Sequence, residues 1–199
     1  MWQVRTAGRD AALQAFVDRA EEAVAAAART PDAERASRKV FAALRRRSGP
    51  AGTPEPHRLE VCRLFGPALA ISSVHGDLRR ALAALEPRFA WSRRKNADPA
   101  NPGFYDGHAN VTIFGPGGLE ERRDVWIGAT LLAPDVRYID HDHPPEEVYL
   151  PLSPGEWWNE DMDWTDPGLD GTIYNRPGIR HAMRSGATPF LALWFLPAE

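Results

Sequence analysis

Near Glu86 the chain changes its hydrophobic period, and that change narrows the folds open to it. Before it, "RDAALQAFVDRAEEAVAAAART" repeats apolar residues at three and four from Arg9 to about Arg29, which predicts an amphipathic helix. Pro31 and Asp32 punctuate the pattern, and "AERASRKVFAALRRR" predicts a second helix that stops at Ser48, Gly49 and Pro50. A third helical region is expected from Leu59 to Leu85, broken near Gly66-Pro67 or at Gly76. After Glu86 the Ala-rich stretches end. Gly, Pro, Trp and short β-branched runs replace them: "NVTIF", a turn at Gly115 to Gly118, Val125 to Leu132, then "EVYLPL", "GTIYN", "RHAMR" and "PFLALWFL". Short strands at this spacing, with no helices between them, predict an antiparallel sandwich or barrel. The helical region, 1–88, would then pack on the β unit, 89–199, or on a second subunit, which keeps a homodimer open. "RRKNADPANPGFYDGHAN" is the longest candidate irregular loop, the kind that serves as a lid.

Composition narrows the partners. The chain has 199 residues, 43% of them hydrophobic, enough for one substantial core. A net charge of -3 gives no electrostatic reason to expect nucleic acid. No apolar run reaches the ~18 residues of a membrane span, and the start lacks a secretory pattern, so a cytoplasmic protein without membrane contact is expected. The single cysteine, Cys62, sits in an apolar run and reads as a buried thiol rather than a nucleophile. Arg45, Arg46 and Arg47 read as a solvated helix end.

The segment "YIDHDHPPEEVYLPLSPG", Tyr138 to Gly155, carries the chemistry. Pro144 and Pro145 disfavour a helix through it, so His143 and Glu147 do not share a helical face. Past Pro145 an extended chain puts Glu147 and Tyr149 on one face, with Val148 and Leu150 on the other. Glu146 then turns outward as a solvated charge. His181, just after the Pro177-Gly178 turn, starts another strand that could bring its imidazole alongside. Two imidazoles and a carboxylate, from His143, His181 and Glu147, suit one divalent transition metal ion, Zn, Fe, Mn or Ni. Tyr149 could take a fourth position, where the metal would lower its pKa. The acidic run "NEDMDWTDPGLDG" lacks the ligand order of a calcium loop and reads as a solvated loop. Tyr105 and His108 are candidate lid contacts.

These residues resemble the cupin pattern: His141, His143, Glu147 and Gly155, then Gly171, Pro177, Gly178 and His181. More specifically the chain resembles the cupin-type dimethylsulfoniopropionate lyases, the DddQ-like group. That motif adds a Tyr five before the metal-binding His and another two after the Glu, as Tyr138 and Tyr149 stand here, and "PFLALWFL" is similar to the run that follows the last His. Gly155 comes one residue late, Pro177 abuts Gly178, and Ser185 stands in place of an Asn. The resemblance implies a mainly β cupin jelly-roll barrel preceded by a helical layer. It implies a metal-dependent lyase that takes a small carboxylate, dimethylsulfoniopropionate, and releases dimethyl sulfide and acrylate by β-elimination. It makes Tyr149 the base, with Tyr138 as the alternative base or a substrate-orienting group. Trp194 or Tyr138 would face the substrate's sulfonium, and His141 would be a ligand, a support behind the ligands or a substrate contact. A different metal-dependent cupin enzyme (dioxygenase, isomerase or another lyase) and a non-enzymatic cupin binder are the rival readings.

Overall fold

A computed structural model describes residues 8–198. The first seven residues of the expected helical region and the last residue of the expected β unit lie outside the described residues.

Helix α1, Ala11–Ala27, begins where the Asp10 carboxylate accepts the backbone N–H groups of Ala12 and Leu13, both at 3.1 Å. Helix α2, Pro31–Arg46, is capped by the Thr30 hydroxyl, 3.2 Å from the Ala33 nitrogen. Pro31 therefore opens this helix rather than separating two, because the first helical position needs no N–H. Asp32 and Glu34 in its first turn and Arg45 and Arg46 in its last suit the helix dipole. The third helical region is interrupted, with a 3-10 turn at Glu60–Leu64, α3 at Phe65–Ala70 and α4 at Gly76–Leu85. The break falls at Gly76, whose preceding His75 is left-handed with φ 56°. Pro67 sits inside the first turn of α3, where proline is tolerated. The expected irregular loop contains a short helix, α5, at Pro102–Gly107, and its last residues begin a strand.

The strands are β1 His108–Phe114, β2 Val125–Leu132, β3 Arg137–His141, β4 Glu147–Pro151, β5 Glu156–Asn159, β6 Met162–Thr165, β7 Ile173–Asn175, β8 His181–Arg184 and β9 Phe190–Pro197. One sheet has the order β1-β2-β9-β4-β7 and the other β3-β8-β5-β6, with every pairing antiparallel. From β2 onward each connection except the β5–β6 hairpin crosses from one sheet to the other. That winding is the cupin jelly roll, as the resemblance implied. The acidic run expected as a solvated loop supplies β6.

Strand alternation divides the core. Ile127, Ala129, Leu131, Leu193 and Phe195 face outward from the larger sheet into one apolar cluster with Phe16, Val40, Phe41 and Leu82 of the helices. Helix α2 lies against β9, β4 and β7, with the Phe41 and Phe195 rings 5.7 Å apart. The alternate residues Leu132, Tyr149, Ala192 and Trp194 face the barrel interior with Tyr138 and Trp157. Gly128 stands opposite Trp194, and a Cβ there would collide with the indole and with the Val111 carbonyl. This glycine makes room for an aromatic wall. No helix among the described residues is long and apolar enough to cross a membrane.

Candidate metal centre

Three backbone features bring the histidines together. His141 ends β3 directly opposite His181, the first residue of β8, and their ring centroids lie 4.1 Å apart. His143 sits in the β3–β4 turn, where its carbonyl accepts the Gly178 N–H at 3.0 Å. Gly178 has φ 70°, a left-handed conformation that glycine adopts without strain, so the two turns lock together. The His143 and His181 rings are then 5.0 Å apart.

Each imidazole is oriented by its own backbone. The Nδ1 atoms of His141, His143 and His181 face the carbonyls of Ile139, Pro145 and Ile179 at 3.0, 2.9 and 2.9 Å. A carbonyl only accepts, so each Nδ1 carries a proton, and a ring that is neutral then presents its Nε2 lone pair. Ring nitrogens of all three lie within 4.8 Å of one another. The Glu147 Oε2 lies 3.2 Å from both His143 Nε2 and His181 Nε2. Yet His181 Nε2 is buried and makes no hydrogen bond of acceptable geometry. A buried lone pair without a donor, beside a buried carboxylate, is what a metal ligand set requires.

The electrostatics agree. Burial alone would raise the Glu147 pKa, but His143 and His181 outweigh it and hold the carboxylate well below its usual range. Burial would lower His143, yet the pull of Glu147 raises it overall. His141, facing the same way without a carboxylate bond, is pushed down to about 3 by burial and then by His181. Glu147 is steadied by the Asn175 amide at 3.3 Å, and Asn175 in turn accepts from Asn159 at 3.0 Å. The residues therefore fit a divalent cation. They do not distinguish one transition metal from another.

A cavity of about 170 Å³ opens onto this cluster, small enough to suit a ligand of few heavy atoms. Tyr138, His141, His143, Glu147, Tyr149 and Trp194 all line it, and His181 stands beside them. Tyr149 lies across from Trp194 in the β4–β9 register, 5.9 Å from the Trp157 ring. Burial and then Glu147 push its pKa well above 10. Tyr138 is raised by burial too, partly offset by Arg94, and its hydroxyl accepts from the Asn110 amide at 3.0 Å.

Other sequence expectations fail. Glu146 is not a solvated charge: it is 6% exposed, bound at 2.7 Å by both Arg35 and Lys39 and at 2.8 Å by the Tyr174 hydroxyl. Helix α2 covers that face of β4 and supplies the cations. His108 is fully buried in β1, where it stacks on Phe104, and Tyr105 packs under Arg93, so neither lines the cavity. Sequence reading missed Arg94, Asn110, Trp126 and Thr130 in the lining. The alternation of β2 carried the signal for Trp126 and Thr130, which share one face with Gly128.

A family model described as dimethylsulfoniopropionate lyase matches residues 32–192. The chain is similar in structure to the DMSP lyase DddQ from Ruegeria pomeroyi DSS-3, with a TM-score of 0.77 and 22% identity over 94% of this chain and 92% of that one. It is also similar to a chain from the crystal structures of the DMSP lyases RdDddP and RnDddQII, with a TM-score of 0.65 and 20% identity over 94% and 92%. No curated protein matches it.

Proposed function

The chain belongs to the dimethylsulfoniopropionate lyase family and is a carbon–sulfur lyase that cleaves dimethylsulfoniopropionate; we propose that it does so by β-elimination at a site where His143, Glu147 and His181 hold a divalent transition metal, Zn, Fe, Mn or Ni. The observation that carries this reading is the buried, unpartnered Nε2 of His181 beside the Glu147 carboxylate. His141, its ring against that of His181, is a further ligand or a substrate contact. A metal held by these residues would supply Lewis acidity toward a carboxylate bound there, which would acidify the carbon next to it.

The chain's own residues do the rest. Tyr149, buried on the same strand face as Glu147, is the proposed base that takes a proton from the carbon beside the carboxylate, with Tyr138 as the alternative. The electron pair of that C–H bond forms the C=C bond of acrylate, and the C–S pair leaves with sulfur. Dimethyl sulfide departs neutral and needs no acid. Trp194 and Tyr138 offer aromatic faces to the sulfonium before it leaves. A cytoplasmic location belongs to the same reading, in keeping with the one free, buried thiol at Cys62.

Purified protein loaded separately with Zn, Mn and Fe(II) should release dimethyl sulfide into the headspace from dimethylsulfoniopropionate. Tyr149→Phe should lower kcat by about 10²- to 10⁴-fold. No sulfide above the metal-free control with any ion overturns the metal-dependent mechanism, and full turnover by Tyr149→Phe overturns the choice of base.

A further inference from the structure

Two adjacent arginines in the segment before α5 are used differently. Arg93 is spent on α5 itself, donating to the Tyr105 carbonyl at 2.7 Å and to Asp106 at 3.0 Å. Arg94 is half-buried, lines the cavity and forms no ion pair among the described residues. Its guanidinium carbon lies 5.9 Å from the Tyr138 ring centroid. Its backbone is fixed to the barrel, because the Arg94 N–H donates to His108 Nε2 at 2.8 Å while His108 Nδ1 bonds the Phe104 carbonyl. Buried His108 thus anchors a cation at the cavity wall.

A guanidinium at a cavity wall, partly withdrawn from water, attracts an anionic partner into that cavity. The one acid lining the cavity is Glu147, already engaged by His143, His181 and Asn175. A second donor is at hand: Trp126 lines the same cavity, and its Nε1–H is buried with no acceptor among the described residues. A guanidinium with no ion pair among the described residues and a buried, unpartnered indole N–H, around one small space, point to an anionic oxygen that arrives with the ligand.

We propose that Arg94, assisted by the Trp126 indole N–H, is the carboxylate anchor of this cavity, taking one oxygen of the substrate's acid group. For its orienting role the proposal rests on the lyase reading. The guanidinium attracts the acid end of the zwitterion and repels its sulfonium, which turns toward the aromatic face of Trp194. It also stabilises the extra negative charge that spreads onto the carboxylate as the proton leaves. Of the two products the sulfide is neutral and has no hold on Arg94, whereas acrylate keeps its charge. Sulfide therefore leaves first and acrylate last, and acrylate inhibits competitively.

Calorimetric titration of metal-stripped protein with propionate and with propionamide tests the anchor apart from turnover. Wild type should prefer propionate. Arg94→Met should bind propionate about 10- to 100-fold more weakly with propionamide unchanged, as expected for loss of a charge-assisted bond. Arg94→Lys should recover part of the loss, and Trp126→Phe should show a smaller one. Melting temperatures should move little, because the Arg94 side chain forms no ion pair among the described residues and only flanks Tyr138. In the metal-loaded enzyme the acrylate inhibition constant should rise with Arg94→Met. Propionate binding within twofold of wild type in Arg94→Met, or an equal loss for both ligands, overturns the proposal. Arg94-dependent propionate binding by a protein that releases no sulfide would uphold the anchor and remove the lyase mechanism instead.

Discussion

Two of the buried polar clusters in this molecule are satisfied to different degrees. At the helix–barrel boundary, Arg122 is 3% exposed and spends all its guanidinium N–H groups: on both Asp124 oxygens at 2.8 and 2.9 Å, on Glu120 at 3.1 Å, and on the carbonyls of Arg47 and Ala43 at 2.9 and 3.0 Å. Glu120 also accepts from Arg9 at 2.7 Å and from the Gly49 nitrogen at 2.8 Å. Nothing is left over for a ligand. At the mouth of the barrel, the histidine cluster has its Nδ1 atoms fixed and its Nε2 atoms converging, with His181 Nε2 unpartnered. Both clusters are charged and buried, so burial and charge alone do not mark a functional site. What separates them is unspent bonding capacity, which in a well-packed protein is costly to keep unless something fills it.

The largest effect that should sharpen this contrast is on stability. Arg122→Met leaves Glu120 with Arg9 alone for a cation and Asp124 with only the 3.4 Å contact to Arg47, and should cost about 3–5 kcal/mol in urea unfolding, while sulfide release per folded molecule stays at the wild-type value. Loss of activity at unchanged stability would erase the distinction between the clusters.

A smaller effect separates them by pH. Hydrogen bonding to Arg122, opposed by burial, holds Asp124 at about 2, below its usual 3.8. Its contribution is therefore complete above about pH 4 and is lost as pH falls through 2, about 2 kcal/mol in all. Burial, followed by the charge of His181, holds His141 at about 3, below its usual 6.5. The unfolded chain takes up that proton first, so stability drains from about pH 6.5 down to 3. Acid unfolding of metal-stripped protein should then show two windows. Asp124→Asn should shrink the lower one, to which Glu147 also contributes, and leave the upper one, while His141→Gln should remove the upper one only; loss of both windows in either variant would join the clusters into one unit.

Much of the site was legible because strand parity is rigid. Glu147 and Tyr149 do share the inner face of β4, while Val148 packs outward against Ala33 and Ala36 of α2. The extent of β2 could be read because its apolar run is long and bounded by turn residues. Glu146 was misread for a reason the local pattern cannot show: its partners Arg35 and Lys39 arrive from a helix more than a hundred positions earlier. Arg94 was equally hidden, since its neighbour Arg93 is chemically identical and only the tertiary contact of His108 decides which of the pair faces the cavity. β5 and β6 are too short, at four residues each, for alternation to stand out from a run of acidic and aromatic residues.

Elemental analysis of the purified protein against its His181→Ala variant probes the shared centre without any substrate. Wild type should retain one divalent transition metal per chain through extensive dialysis, and the variant should retain almost none. Equal retention by both proteins would mean that these imidazoles and this carboxylate do not meet around an ion.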